Sequence, residues 1–99
     1  MQYVKAVLIY AKRDIYPSGL IIEAVIWQLP GPTAARPHGL KYRLYCGRDG
    51  SCIVRYDNET GKRDHVHYSN CEKPYNFISL GQLVRDFYAD IERFTGEKP

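Results

Sequence analysis

The chain has 99 residues, 44% of them apolar, and a net charge of +3. That is enough for one domain with a real core, and no apolar run reaches the roughly 18 to 20 residues of a membrane-spanning helix. The N-terminus has no basic start followed by an apolar stretch and a small-residue cleavage site, so no signal peptide is expected and the cytosol is the expected compartment.

Read in chain order, the sequence predicts a row of strands and then one helix, a single domain over residues 1–99. Tyr3 to Arg13 is rich in β-branched and apolar residues and reads as a first strand. Asp14 to Gly19 is a turn, with Pro17 setting φ and Gly19 free to take positive φ. Leu20 to Leu29 is almost wholly apolar, which predicts a central strand buried on both faces, with Trp27 in the core. Pro30 to Gly39 holds three of the six prolines and reads as a loop or lid, with His38 solvated. Leu40 to Cys46 is a third strand, Gly47 to Ser51 a turn, Cys52 to Asp57 a fourth strand, Asn58 to Lys62 a turn, and Arg63 to Ser69 a fifth strand; Asp57-Asn58 reads as turn chemistry, with Asx-type bonds capping the strand end.

The helix is the clearest element. Ser79 and Gln82 form a capping box, and Leu80, Leu83, Val84, Phe87, Ile91 and Phe94 follow at helical spacing. Gly96 stands where a C-terminal cap belongs, so a helix over Leu80 to Thr95 is expected. The fold class is therefore α+β: an antiparallel meander of about five strands with one C-terminal helix packed on one face.

Alternation in the strands sorts the side chains. If Cys46 opposes Cys52, then Leu44 faces Val54 and Tyr42 faces Tyr56 on an apolar side. Lys41 then meets Asp57, and Arg43 meets Arg55, on the other. Two arginines directly opposite suggest an anion on that face, since like charges side by side destabilise a bare sheet. The same parity puts His65 beside Arg55 and His67 beside Ile53, away from the helix.

Between Arg36 and Lys73 there are eight basic and five acidic residues, against three and four in the last 21. A basic middle suits an anionic partner such as RNA. Two imidazoles can serve as proton acceptor and donor. His65 and His67 are thus candidates for metal-independent RNA cleavage. Arg43, Arg55 and Lys62 would hold the phosphate, Lys41 and Arg63 would attract the backbone, and Asp64 would orient an imidazole. Other readings stand beside this one. His65, His67 and the arginines can form a merely solvated strand face. His65 and His67 can ligate a metal, with Asp57 or His38 as third ligand. The basic face can bind RNA or a protein without catalysis. Cys46, Cys52 and Cys71 have no zinc-finger spacing and read as reduced thiols. No cofactor or metal is expected.

The stretch Tyr56-Asp-Asn-Glu-Thr-Gly-Lys-Arg-Asp-His-Val-His67 resembles the YDNxxGKGDHxH pattern of TumE-type toxin components of bacterial and archaeal toxin–antitoxin pairs. Val25-Ile-Trp-Gln-Leu-Pro30, His38-Gly-Leu-Lys-Tyr-Arg43 and Tyr75-Asn-Phe-Ile-Ser79 agree with it. The resemblance implies a small cytosolic toxin, neutralised by an antitoxin that often carries a helix-turn-helix domain, with growth inhibited through RNA. The motif falls on Lys62, Asp64, His65 and His67. Arg63 stands where the family pattern has a second glycine.

Overall fold

The computed structural model describes residues 5–59, 63–68 and 70–99. Six strands run in the order β1-β2-β3-β4-β5-β6, each antiparallel to its neighbour, and one helix follows. They are β1 (Val7–Ile15), β2 (Ile21–Gln28), β3 (Leu40–Arg48), β4 (Ser51–Asp57), β5 (His65–Tyr68), β6 (Cys71–Pro74) and α1 (Leu80–Thr95). The meander and the single helix are as the sequence predicts. The sixth strand is additional: Cys-Glu-Lys-Pro has neither alternation nor β-branching, and it forms because it lies along β5 at a sheet edge.

The helix keeps its predicted bounds. The Ser79 hydroxyl accepts from Gln82 N–H at 3.1 Å, and Gly96 at φ 76 closes the last turn. The Gln82 side chain does not complete the capping box; it donates to Asp86 Oδ1 at 2.7 Å. Leu83, Phe87 and Ile91 are buried against the sheet with Tyr42, Leu44, Val54, Tyr56 and Val66. Phe94, expected in this stripe, is 47% exposed, its ring beside Tyr68 and under the Arg93 guanidinium.

Only one face of the sheet is covered by the helix. In β2, Ile22, Ala24 and Ile26 are buried while Ile21, Glu23, Val25 and Trp27 are half-buried. The expected two-sided burial of β2, and a core position for Trp27, are therefore corrected: the alternate residues face an open side of the sheet.

The β3–β4 register also differs by two residues from the sequence reading. Asp49 (φ 53) and Gly50 (φ 78) make a two-residue turn of the kind that matches strand twist. A bulge between Cys46 and Gly47 adds one more residue. Arg43 therefore faces Asp57, Tyr45 faces Arg55 and Cys46 faces Val54. A shift of two preserves the faces. It removes the expected Arg43–Arg55 opposition and, with it, the like-charge argument for an anion.

Beneath the helix, phenols and carboxylates share the core. Tyr56 and Tyr68 both donate to Asp90, the latter at 3.0 Å. Tyr42 donates to Asp64 at 2.6 Å and Tyr75 to Asp86 at 2.5 Å. Burial first, and these bonds as well, raise the pKa of Tyr42, Tyr56 and Tyr75; burial also raises that of Tyr68. A phenol in the unfolded chain ionises near pH ~10. The stability these groups contribute is thus complete below that pH and declines as pH rises beyond it. A thermal melt series should show a level midpoint to about pH 9 and a fall above about pH 10. Phenolate absorbance should appear together with loss of the helix signal.

Candidate active site

Asp57 is the centre of the open face. It ends β4, is 3% exposed, and lies against Arg55 and His65. The Arg55 Nε donates to its Oδ2 at 2.7 Å, and His65 Nε2 lies 2.7 Å from its Oδ1. The second contact is close but not aligned as a hydrogen bond, so Asp57 Oδ1 is buried without one. Strand pairing accounts for the cluster, since Asp57 stands between Arg43 on β3 and His65 on β5. The sequence reading gave Asp57 a turn role and put His65 beside Arg55. The two-residue shift makes it His67 that pairs with Arg55.

The two histidines share the open face but differ in environment. His65 is 6% exposed. Its Nδ1 donates to the Arg63 carbonyl at 2.9 Å, and its Nε2 also lies 3.4 Å from Glu72 Oε1. Both ring nitrogens thus face oxygen acceptors. His67 is half-buried, and its Nδ1 is enclosed yet makes no hydrogen bond, the nearest charge being Glu72 Oε2 at 4.0 Å. Asp57 Oδ1 and His67 Nδ1, two of the four buried side-chain polar atoms without a hydrogen bond among the described residues, belong to residues of one small cluster. An open groove of about 490 Å³ runs past His65, between Arg63, Asp64, Glu72, Lys73 and Pro74.

The predicted cations are distributed unevenly. Arg55 is engaged by Asp57, and Arg63 is exposed at the rim of the groove. Lys41 and Arg43 are half-buried on the open face, Lys41 beside Trp27 and Arg43 opposite Asp57 and 5.0 Å from the Tyr45 ring, and neither forms an ion pair among the described residues. Lys62 lies outside the described residues. Tyr45 lies along β3 over Gly47: a Cβ on Gly47 would come 2.1 Å from the phenol oxygen and 2.7 Å from the Ser51 carbonyl. Gly47→Ala should therefore cost about 1–3 kcal/mol in chemical denaturation. Tyr45→Ala should recover part of that cost in a double-mutant cycle.

Asp64 does orient an imidazole, but neither of the two on the open face. Its carboxylate takes His38 Nε2 at 2.8 Å and the Tyr42 hydroxyl, while His38 Nδ1 accepts from Leu40 N–H at 3.1 Å. With both nitrogens engaged and Phe77 stacked 4.0 Å away, His38 is a fastening rather than a solvated side chain. It also stands apart from His65 and His67, so it is not their third metal ligand. Arg36 adds a second fastening, Nε to the Asn58 carbonyl at 3.0 Å, so the proline loop is tied down and is not a free lid. Asn58 is fully buried; its amide continues the β3 ladder, accepting from Tyr42 N–H at 3.0 Å and donating to the Leu40 carbonyl at 2.8 Å. No sequence signal marks these roles, because each partner lies 16 or more residues away.

Among the described residues no group of three or more His, Cys, Asp or Glu side chains has the geometry to hold a metal. The cysteines are free, and burial pushes the Cys46 thiol up to about 11. No described helix is long and apolar enough to cross a membrane.

The family model described as Toxin TumE matches residues 4–95. The chain belongs to the TumE toxin family. It is thus a toxin component of a toxin–antitoxin system, and the TumE assignment implies an antitoxin partner. The match spans both the open-face cluster of Asp57, His65 and His67 and the fastenings on the helix side. No curated protein and no solved structure matches this chain.

Proposed function

We propose that this TumE family member inhibits growth by acting on RNA in the cytoplasm, as a metal-independent endoribonuclease centred on His65 and His67. The observation that carries the reading is the presence on one open face of a half-buried imidazole, His67, and a buried imidazole beside a carboxylate, His65. Lys41, and Arg43 opposite Asp57, add positive charge that supports a phosphate there.

In this reading His67 takes the proton of a ribose 2′-hydroxyl as its oxygen bonds to phosphorus. The bond from phosphorus to the 5′-oxygen breaks, and His65 gives that oxygen a proton. Lys41, Arg43, Arg63 and Lys62 neutralise the phosphate, while Arg55 and Asp57 set the position of the His65 ring. Asp64 acts at a distance by fixing the start of β5. An antitoxin of helix-turn-helix type completes the pair. The test is incubation of purified protein with cellular RNA in chelator. New 2′,3′-cyclic phosphate ends support the reading. Activity that chelator abolishes points to a metal nuclease instead, and RNA binding without new ends points to a non-catalytic module.

A further inference from the structure

The two edges of the sheet are built differently. β6 is four residues long, carries Glu72 and Lys73, and ends in Pro74, all features that discourage another strand from pairing. β1 is nine residues long, pairs only with β2, and has no proline. Its N-terminal half is a run of apolar residues in the open: Val7 60%, Leu8 47%, Ile9 43% and Tyr10 45% exposed. A bulge at Ile9 puts Leu8 opposite Trp27 and Tyr10 opposite Ile26. Apolar side chains therefore emerge on both faces of the strand. A partner laid on one face would leave half of them in water, whereas a strand added along the edge contacts both sets.

Charge selects the occupant. A second copy of this chain that buried the run on itself would set Val7 opposite Tyr10 and Leu8 opposite Ile9. That register also sets Lys5 opposite Lys12, a like-charge pair that destabilises an antiparallel ladder. On the C-terminal flank Lys12 pairs with Asp14 at 3.1 Å and Arg13 lies 3.9 Å from Glu23, whereas Lys5 on the N-terminal flank is exposed and forms no ion pair among the described residues. The complementary strand is apolar in its centre and acidic where it meets Lys5.

We propose that the β1 edge receives an extended segment of the antitoxin, apolar opposite Val7 to Tyr10 and acidic beside Lys5, as an added strand of the sheet. This rests on membership of a toxin family and on the edge itself, not on the RNA reading. The experiment uses the full chain and its cognate antitoxin. Hydrogen exchange should show new protection in 7–15 on complex formation. Val7→Glu with Ile9→Glu should weaken antitoxin binding by ~30-fold or more and leave toxicity of the chain expressed alone unchanged. Lys5→Glu should weaken binding in a salt-dependent way. Unchanged affinity in these variants would overturn the proposal, as would protection confined to other elements. So would a wild-type dimer that Ile9→Glu dissolves without affecting the antitoxin. If the glutamate pair prevents folding, the wild-type exchange pattern alone decides.

Discussion

Alanine at both His65 and His67 is expected to lower RNA cleavage by ~100- to 10,000-fold, the usual contribution of positioned acid–base groups. The single variants should separate. His67 is half-buried and its Nδ1 forms no hydrogen bond among the described residues, so His67→Ala removes a proton-transfer group with little cost to the fold. His65 is buried between Asp57, Glu72 and the Arg63 carbonyl, so His65→Ala also leaves these acceptors without the ring that packs against them. His67→Ala should therefore keep the wild-type melting temperature and lose activity, while His65→Ala loses both. Cleavage end-group analysis beside thermal melts reads the difference. A double variant as active or as toxic as wild type rules out the proposed chemistry.

Asp57→Ala should be the most damaging single change on the open face. The carboxylate is almost fully enclosed and touches both Arg55 and His65. Removing one member of a buried ionic cluster leaves the others uncompensated and costs about 3–5 kcal/mol, against 0–1 for an exposed pair. Partial exposure of Arg55 places the expectation near the lower end, about 3 kcal/mol. Asp57→Asn keeps the shape and should recover part of the stability without restoring the position of the His65 ring. Urea unfolding midpoints measure this; a loss below about 0.5 kcal/mol, typical of an ordinary surface position, would mean that Asp57 is not the centre of the cluster.

What could be read from the sequence was what local chemistry determines. Ser79, the spaced apolar residues and Gly96 specify the helix within a few residues of chain, and alternation in Leu40 to Cys46 specifies which side chains share a face. The rest depended on distant partners. The bulge at Cys46/Gly47 has no local signature, yet together with the Asp49–Gly50 turn it moves Asp57 from Lys41 to Arg43 and from a turn role to the middle of the candidate site. Cys71–Pro74 is a strand only because β5 is beside it. His38 looked solvated because Asp64 and Phe77, which enclose it, lie 26 or more residues further along.

The clasp between His38 and Asp64 ties the two sides of the sheet together in an indirect way. Asp64 directly precedes His65, and the backbone oxygen of Arg63 steadies the His65 ring. Trimming the proline-rich excursion, or swapping His38 for a residue that cannot reach Asp64, would loosen the lead-in to β5. Homologues with a shortened excursion should therefore carry a substitute tether at that point, or else a less steady imidazole on the opposite side.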